Sequence, residues 1–290
     1  MRKYIDKAAV LIEALPYIQR FRGDTVVVKF GGSAMEDPDC VASTLRDIVF
    51  MECVGMKPVI VHGGGKAIST RLGQLGIASR FINGMRYTCK DTIGVVDDVL
   101  HSDVNEKLVD GVRKLGGRAR DLSGKKILGA RRLSHTDEAG APVDLGFVGD
   151  VVSVDVGPIC ELLAANELPV ITPVGLDDQQ RPFNINADLC ACRVAQALQA
   201  AKLVFLSDVP GLLADPKNPD SLISTLHTKE IAQLVADGVI SGGMAPKIAS
   251  ASAAISAGVR KVHLIDGRLQ HSLLLEIFTD HGVGTQIIGT

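Results

Sequence analysis

A chain of 290 residues that is 46% hydrophobic and 22% charged can bury one large core or two smaller ones. Its net charge of −2 has neither the basic excess of a nucleic-acid binder nor the acidic run of a solvating tail. The six cysteines, Cys40, Cys53, Cys89, Cys160, Cys190 and Cys192, form no CxxC pair and no zinc-site spacing with histidine, so they read as reduced thiols in a cytoplasmic protein.

Ile5, Ala8, Ala9, Leu11, Ile12, Leu15, Ile18 and Phe21 recur at helical spacing. Residues 5–21 are therefore expected as an amphipathic helix that Pro16 bends or breaks. TVVVKF (25–30) reads as a buried strand, 37–55 as a helix, and KPVIVHGGG (57–65) as a strand opening into glycines. Helices are expected at 66–75 and, as one long run, at 92–115. Residues 118–158 carry short β-like pieces, 159–166 a helix, and LPVITPVG (168–175) one further strand. The alternation continues with a helix at 189–199, a strand KLVFLSDVPG (202–211), and helices at 228–237 and 245–258. It ends with a strand VRKVHLIDG (259–267), a helix at 273–279 and a last strand GTQIIGT. Apolar strands between helices imply an α/β fold: a mostly parallel open sheet sandwiched by helices in three αβα layers. The polar turn LDDQQRP (176–182) suggests two lobes, 23–180 and 181–290, after an N-terminal segment of 1–22. No stretch approaches the roughly 18 apolar residues of a membrane span.

Three glycine-bearing turns follow strands: Lys29-Phe30-Gly31-Gly32, His62-Gly63-Gly64-Gly65 and Ser207-Asp208-Val209-Pro210-Gly211. Open α/β sheets bind ligands at these strand ends, where glycine lets backbone N–H groups approach an anion. No GxxxxGK[ST], GxGxxG or protein-kinase motif set is present, so the phosphate-binding design is a different one. Lys29 at a strand end can meet a phosphate as a point charge. Lys247, just inside the helix after SGGMAP, opposes the helix dipole unless an anion lies nearby. In FNINADLCACR, one of Asn184, Asn186 and Asp188 suffices as a helix cap. If the stretch is extended, all three share one face, able to hold a carboxylate ligand and orient lysines. His62 is expected as a hydrogen-bonded structural histidine, Cys190 and Cys192 as packing groups, and Arg131 and Arg132 as solvated surface.

VVVKFGG, VIVHGGG, NGMRYT, FNINAD, LSDVPG and SGGMAPK occur in an order and spacing that resembles the amino acid kinase family. The match runs over essentially residues 1–289. Within that family the chain is most similar to the arginine-sensitive members that phosphorylate the side-chain carboxylate of N-acetyl-L-glutamate with ATP in arginine biosynthesis. The resemblance implies that Lys29 and Lys247 flank the transferred phosphoryl group and that Asp188 holds both lysines. It implies that Gly31, Gly32, Gly64 and Gly65 donate backbone N–H groups to that group and the substrate. Arg86 and Asn184, with Asn186 nearby, would bind the acetylglutamate carboxylate. Ser207, Asp208 and Gly211 would lie at the ATP site, with Mg²⁺ bridging the nucleotide phosphates and no metal held by protein side chains alone. It further implies feedback inhibition by arginine at Tyr17, Glu276 and Gly282, and a hexamer in which N-terminal helices link dimers. A nitrogen-signalling protein of the P-II type is a conceivable partner that no residue here selects. A kinase for glutamate, aspartate, carbamate or a nucleotide is the sibling alternative. A non-catalytic amino-acid sensor is the other, although Lys29, Asp188 and Lys247 are all present.

Overall fold

Val26, Val28 and Phe30 face one core of the molecule and Val27 the other, as strand alternation requires. All four are wholly buried, because helices cover both sides of their strand. The computed structural model describes residues 2–82, 84–136, 141–279 and 282–290. Asn83 of NGMRYT, and Asp280 and His281 near the C-terminus, lie outside the described residues.

Helix α1 (Arg2–Phe21) leads into β1 (Thr25–Phe30), followed by α2 (Pro38–Cys53), β2 (Lys57–His62) and α3 (Gly65–Gln74). A small hairpin, β3 (Phe81–Ile82) and β4 (Met85–Arg86), precedes α4 (Lys90–Asp98), a π segment (Val99–Asn105) and α5 (Glu106–Lys114). Next come β5 (Ala119–Leu122), β6 (Leu128–Arg132), β7 (His135–Thr136), β8 (Pro142–Val143) and β9 (Val148–Val154). Then follow α6 (Gly157–Ala164), β10 (Leu168–Ile171), β11 (Val174–Leu176), β12 (Pro182–Ile185), α7 (Ala187–Ala197) and β13 (Lys202–Ser207). The chain closes with β14 (Thr225–His227), α8 (Ile231–Ala236), α9 (Met244–Ser256), β15 (Lys261–Asp266), α10 (Ser272–Ile277) and β16 (Thr285–Ile288).

Among the described residues, eight strands form one sheet in the order β14-β16-β15-β13-β1-β2-β10-β5. All neighbours run parallel except β15 and β16. β1 lies between β2 and β13, with Lys29 opposite Val61 on one side and Phe205 on the other. The strand ends that carry glycine turns are thus neighbours at one edge of the sheet. Strands β11, β12, β9 and β6 close a small barrel. The sheet has one apolar core on each face: α7 and α9 contribute to the first, and α2, α3, α5 and α10 to the second.

Four expectations are corrected. LPVITPVG is two strands, not one: β10 belongs to the large sheet and β11 to the barrel, and the chain changes sheets at Thr172-Pro173, where proline cannot donate to a ladder. The long helical run at 92–115 contains the π segment. Residues 182–188 are not extended throughout, since α7 begins at Ala187. Helix α1 is one continuous element with Pro16 inside it, so it is the break at Pro16 that the structure sets aside. The carbonyl that proline leaves unbonded belongs to exposed Ile12, where water can satisfy it. Tyr17, Ile18 and Phe21 pack on the core, whereas Tyr4, Ile5, Leu11 and Ile12 are 71%, 61%, 69% and 67% exposed. No helix among the described residues is long and apolar enough to cross a membrane.

Candidate active site

Alternation along β1 turns Lys29 toward the face that α7 and α9 cover. Asp188 lies in the first turn of α7 and Lys247 in the first turn of α9. The three side chains meet. Lys29 Nζ is 2.9 Å from Asp188 Oδ1, and Lys247 Nζ donates to Asp188 Oδ2 at 2.6 Å. Burial pushes the Asp188 carboxyl up, but the two ammonium groups outweigh it and hold the carboxyl below its usual range. Asp188 therefore stays ionised and tethers two cations, one from each half of the chain.

The glycine turns stand against this cluster. A β-carbon at Gly31 would lie 2.8 Å from Lys29 Nζ, and one at Gly64 would lie 2.6 Å from the Leu100 side chain. A side chain at Gly31 would push the Lys29 ammonium aside, and one at Gly64 would displace Leu100, so glycine leaves both where they stand. Gly32 follows Gly31 at the entry to a short 3₁₀ turn. Gly63 N–H donates to the Phe30 carbonyl at 2.7 Å, tying the ends of β1 and β2 together. A cavity of about 810 Å³ is lined by Lys29, Gly32, Gly63, Gly64 and Gly65 on one side of the turn. A smaller one of about 210 Å³ on the other side is lined by Gly64, Gly65, Arg86, Asn184 and Asn186.

Arg86, at the end of β4, is 8% exposed. It donates from Nη1 to Ser79 Oγ, and from Nη2 to the Gly65 carbonyl and Ser69 Oγ, each at 2.7 Å. Its guanidinium stacks 4.7 Å from the centre of the Phe81 ring. Burial pulls its pKa down, yet guanidinium remains charged at neutral pH. Asn184 donates to Thr88 Oγ1 at 3.2 Å, and Thr88 in turn to the Arg86 carbonyl at 3.0 Å. Asn186 is the cap of α7, its side chain accepting from the Asp188 and Leu189 N–H groups. That corrects the shared-face expectation for Asn184, Asn186 and Asp188, although both asparagines still line the small cavity. The chain brings Ser69, Ser79, Phe81 and Thr88 into the site as well. Thr88 carried a faint signal, two residues beyond Arg86 in NGMRYT; the isolated serines carried none.

At the end of β13, buried Ser207 donates to Asp208 Oδ1 at 3.4 Å. Gly211 lies farther along the turn against Thr285 and Leu222, so packing already accounts for its missing side chain. His62 is fully buried between the Gly63 carbonyl and Asn105, which agrees with its structural reading. Burial lowers its pKa to about 4, so the ring is neutral. Cys190 and Cys192 are buried thiols pushed up in pKa, Cys192 to about 12. Thiols held protonated in this way are inert packing groups.

The residues expected to meet arginine lie elsewhere. Glu276 on α10 is buried, not solvent-facing. It accepts from His263 Nδ1 at 2.6 Å and from the Val283 and Gly284 N–H groups at 2.7 and 3.0 Å. Gly282 stands so close that a β-carbon there would lie 2.6 Å from Glu276 Oε2. His263 Nε2 lies 3.4 Å from Lys202 Nζ, and that ammonium sits 4.6 Å from the Phe21 ring of α1. Tyr17 packs on the same core as α10, one turn before Phe21.

The model of the amino acid kinase family matches residues 24–266, and the matched span holds Lys29, Asp188 and Lys247. The chain belongs to the amino acid kinase family. Within it, the chain is 45% identical over 287 residues to acetylglutamate kinase of Akkermansia muciniphila, covering 99% of this chain and 97% of that one. It is 47% identical over 294 residues to acetylglutamate kinase of Heliobacterium modesticaldum, covering 99% and 100%. Among solved structures it superposes on N-acetylglutamate synthase from Neisseria gonorrhoeae complexed with coenzyme A and N-acetyl-glutamate, with TM-score 0.84 and 26% identity. The overlap covers 97% of this chain and 63% of that longer one. A second structure of that synthase, complexed with coenzyme A and L-arginine, gives TM-score 0.79 over 97% of this chain and 65% of that one, again at 26% identity.

Proposed function

We propose that this amino acid kinase is an acetylglutamate kinase that transfers the γ-phosphoryl group of ATP to the side-chain carboxylate of N-acetyl-L-glutamate, in arginine biosynthesis. The observation that carries the reading is the single carboxylate of Asp188 holding Lys29 and Lys247 beside the glycine turns. The acceptor is already ionised, so the attack needs no general base. A carboxylate oxygen forms the new O–P bond while the bond to the leaving ADP breaks, and ADP keeps that electron pair. The charge spread over the migrating PO₃ group is met by the two ammonium groups and by N–H groups of Gly31, Gly32, Gly64 and Gly65. Asp188 positions the lysines and takes no proton.

Arg86, fixed on three sides, and Asn184 at the small cavity suit a substrate carboxylate, with Asn186 at its rim. In this reading residues 23–180 hold acetylglutamate, and 181–290 hold ATP near Ser207, Asp208 and Gly211. Both Asp188 oxygens are engaged by lysine, so Mg²⁺ fits as an ion carried by the nucleotide, where it would neutralise phosphate charge. Arginine feedback is assigned to Tyr17, Glu276 and Gly282, with Lys202 and His263 completing a buried polar chain that the guanidinium and carboxylate of arginine could enter. The assembly proposed is a hexamer made of dimers joined through α1, and a P-II-type protein is a candidate partner that a pull-down would detect.

The test is an ATP-dependent assay in which hydroxylamine traps the acyl phosphate, run with acetylglutamate, glutamate, aspartate and carbamate. Trapped product with acetylglutamate in large excess over the others is expected. Equal or greater product with another acceptor would reassign the substrate.

A further inference from the structure

The π segment is a rare backbone distortion, and such distortions recur at functional sites. Here it delivers Asn105, Leu100 and Val104 to the turn after β2. Asn105 is fully buried. Its Nδ2 donates to the Val170 carbonyl at 2.8 Å and lies 3.1 Å from His62 Nε2. Its Oδ1 is buried with no partner. The Val170 carbonyl can only accept, so it fixes the amide with nitrogen inward, and the second Nδ2 hydrogen goes to His62 Nε2. His62 must then carry its proton on Nδ1, which donates to the Gly63 carbonyl at 2.8 Å. The donors form one directed chain: Asn105 to His62, and His62 to Gly63.

The end of that chain matters because a trans peptide is planar, with its C=O and N–H pointing opposite ways. Holding the Gly63 carbonyl on the His62 side turns the Gly64 N–H to the other side. No acceptor engages that N–H among the described residues, and Gly64 lines both cavities of the site. Leu100 presses against Gly64 from the π segment, which limits any flip of the peptide.

We infer that Asn105 and His62 are positioning residues that lock the Gly63–Gly64 peptide so that its N–H faces the transferring phosphoryl group. The inference rests on the reading of Gly64 as a phosphoryl-binding donor. It assigns His62 no proton transfer: the ring stays neutral and acts through the Gly63 carbonyl.

The two amide replacements of His62 separate this role from simple packing. Asparagine can reproduce the Nδ1 donor, while glutamine is closer in size but carries its donor near the Nε2 position. Measured by acyl-phosphate trapping, His62→Gln is expected to lower kcat by about 10²-fold, the order of one lost transition-state donor. The KM for both substrates should stay within about threefold, and His62→Asn should restore most of the loss. Wild-type kcat in His62→Gln, or a His62→Asn variant as impaired as His62→Gln, would overturn the inference. Nitrogen NMR of the wild-type histidines provides a test that needs no variant. A neutral His62 ring protonated on Nδ1 is expected, and a proton on Nε2 would overturn the chain of donors. A wild-type protein that makes no acyl phosphate would remove the kinase reading, and the tautomer would then decide the positioning chain alone.

Discussion

Lys29 and Lys247 lie far apart in sequence and touch through one carboxylate. Each ion pair is partly buried, where Coulomb attraction exceeds its value in water but desolvation opposes it. Neither pair is an obvious contributor to stability, and two ammonium groups held side by side repel. Such an arrangement makes physical sense when a polyanion sits between the cations. Lys29→Ala and Lys247→Ala are accordingly expected to keep the fold, with a melting temperature within a few degrees of wild type. Turnover should fall by about 10²- to 10³-fold in each. Steady-state kinetics beside a thermal melt check both halves of this expectation, and undiminished turnover in either variant would remove that lysine from the chemistry.

The elements best read from sequence were those whose residue pattern has a single structural solution. A run such as TVVVKF followed by paired glycines can be satisfied by a two-face buried strand with a ligand-accessible end. Where two solutions share a pattern, the sequence was silent. The apolar residues of LPVITPVG suit the sheet and the barrel equally. A helical period of 3.6 does not distinguish α from a π segment at Val99–Asn105. The period of two that grouped Asn184, Asn186 and Asp188 lapses once Asn186 caps α7. Ser69 and Ser79 gain meaning only from Arg86, which folding brings to them. The same holds for Lys202 on β13, which reads as a strand-start lysine yet is 6% exposed between α1 and His263. Burial, aided by Lys261, lowers its pKa to about 8 from the usual 10.5. Between those values the unfolded chain holds a proton that the folded protein has released, so stability rises with pH across that window. At about 1.4 kcal/mol per pKa unit, the rise amounts to about 3 kcal/mol. Lys202→Met should lack it. Urea denaturation of both proteins at intervals from pH 7.5 to 10.5 should show the wild type gaining on the variant as pH increases. A constant difference would mean that Lys202 titrates normally.

At the scale of the whole molecule, α1 has two unlike ends. Its last turn is anchored, with Tyr17, Ile18 and Phe21 on the core and Phe21 over the buried Lys202 ammonium. Its first turns leave Ile5, Leu11 and Ile12 each more than half exposed. Burying side chains of this kind is worth about 1.5–3 kcal/mol apiece, enough together to hold a helix against a second copy. The proposed hexamer uses this stripe, and the proposed arginine site lies at the anchored end, so one helix would connect assembly with inhibition. Deleting residues 1–22 cannot separate the two, because it removes Phe21 and Tyr17 along with the stripe. The double substitution Leu11→Lys with Ile12→Glu keeps the anchored turn and abolishes the apolar surface. It is expected to reduce the assembly to dimers in light scattering, leave kcat without arginine within about twofold, and move half-inhibition to a higher arginine concentration. Assembly should lower that concentration because a neighbour holding the far end of α1 steadies the anchored turn, so part of the ordering cost of binding arginine there is already met. A hexamer that survives the double substitution would place the interface elsewhere. Dimers with unchanged arginine sensitivity would confine inhibition to the single subunit, with α1 serving assembly alone.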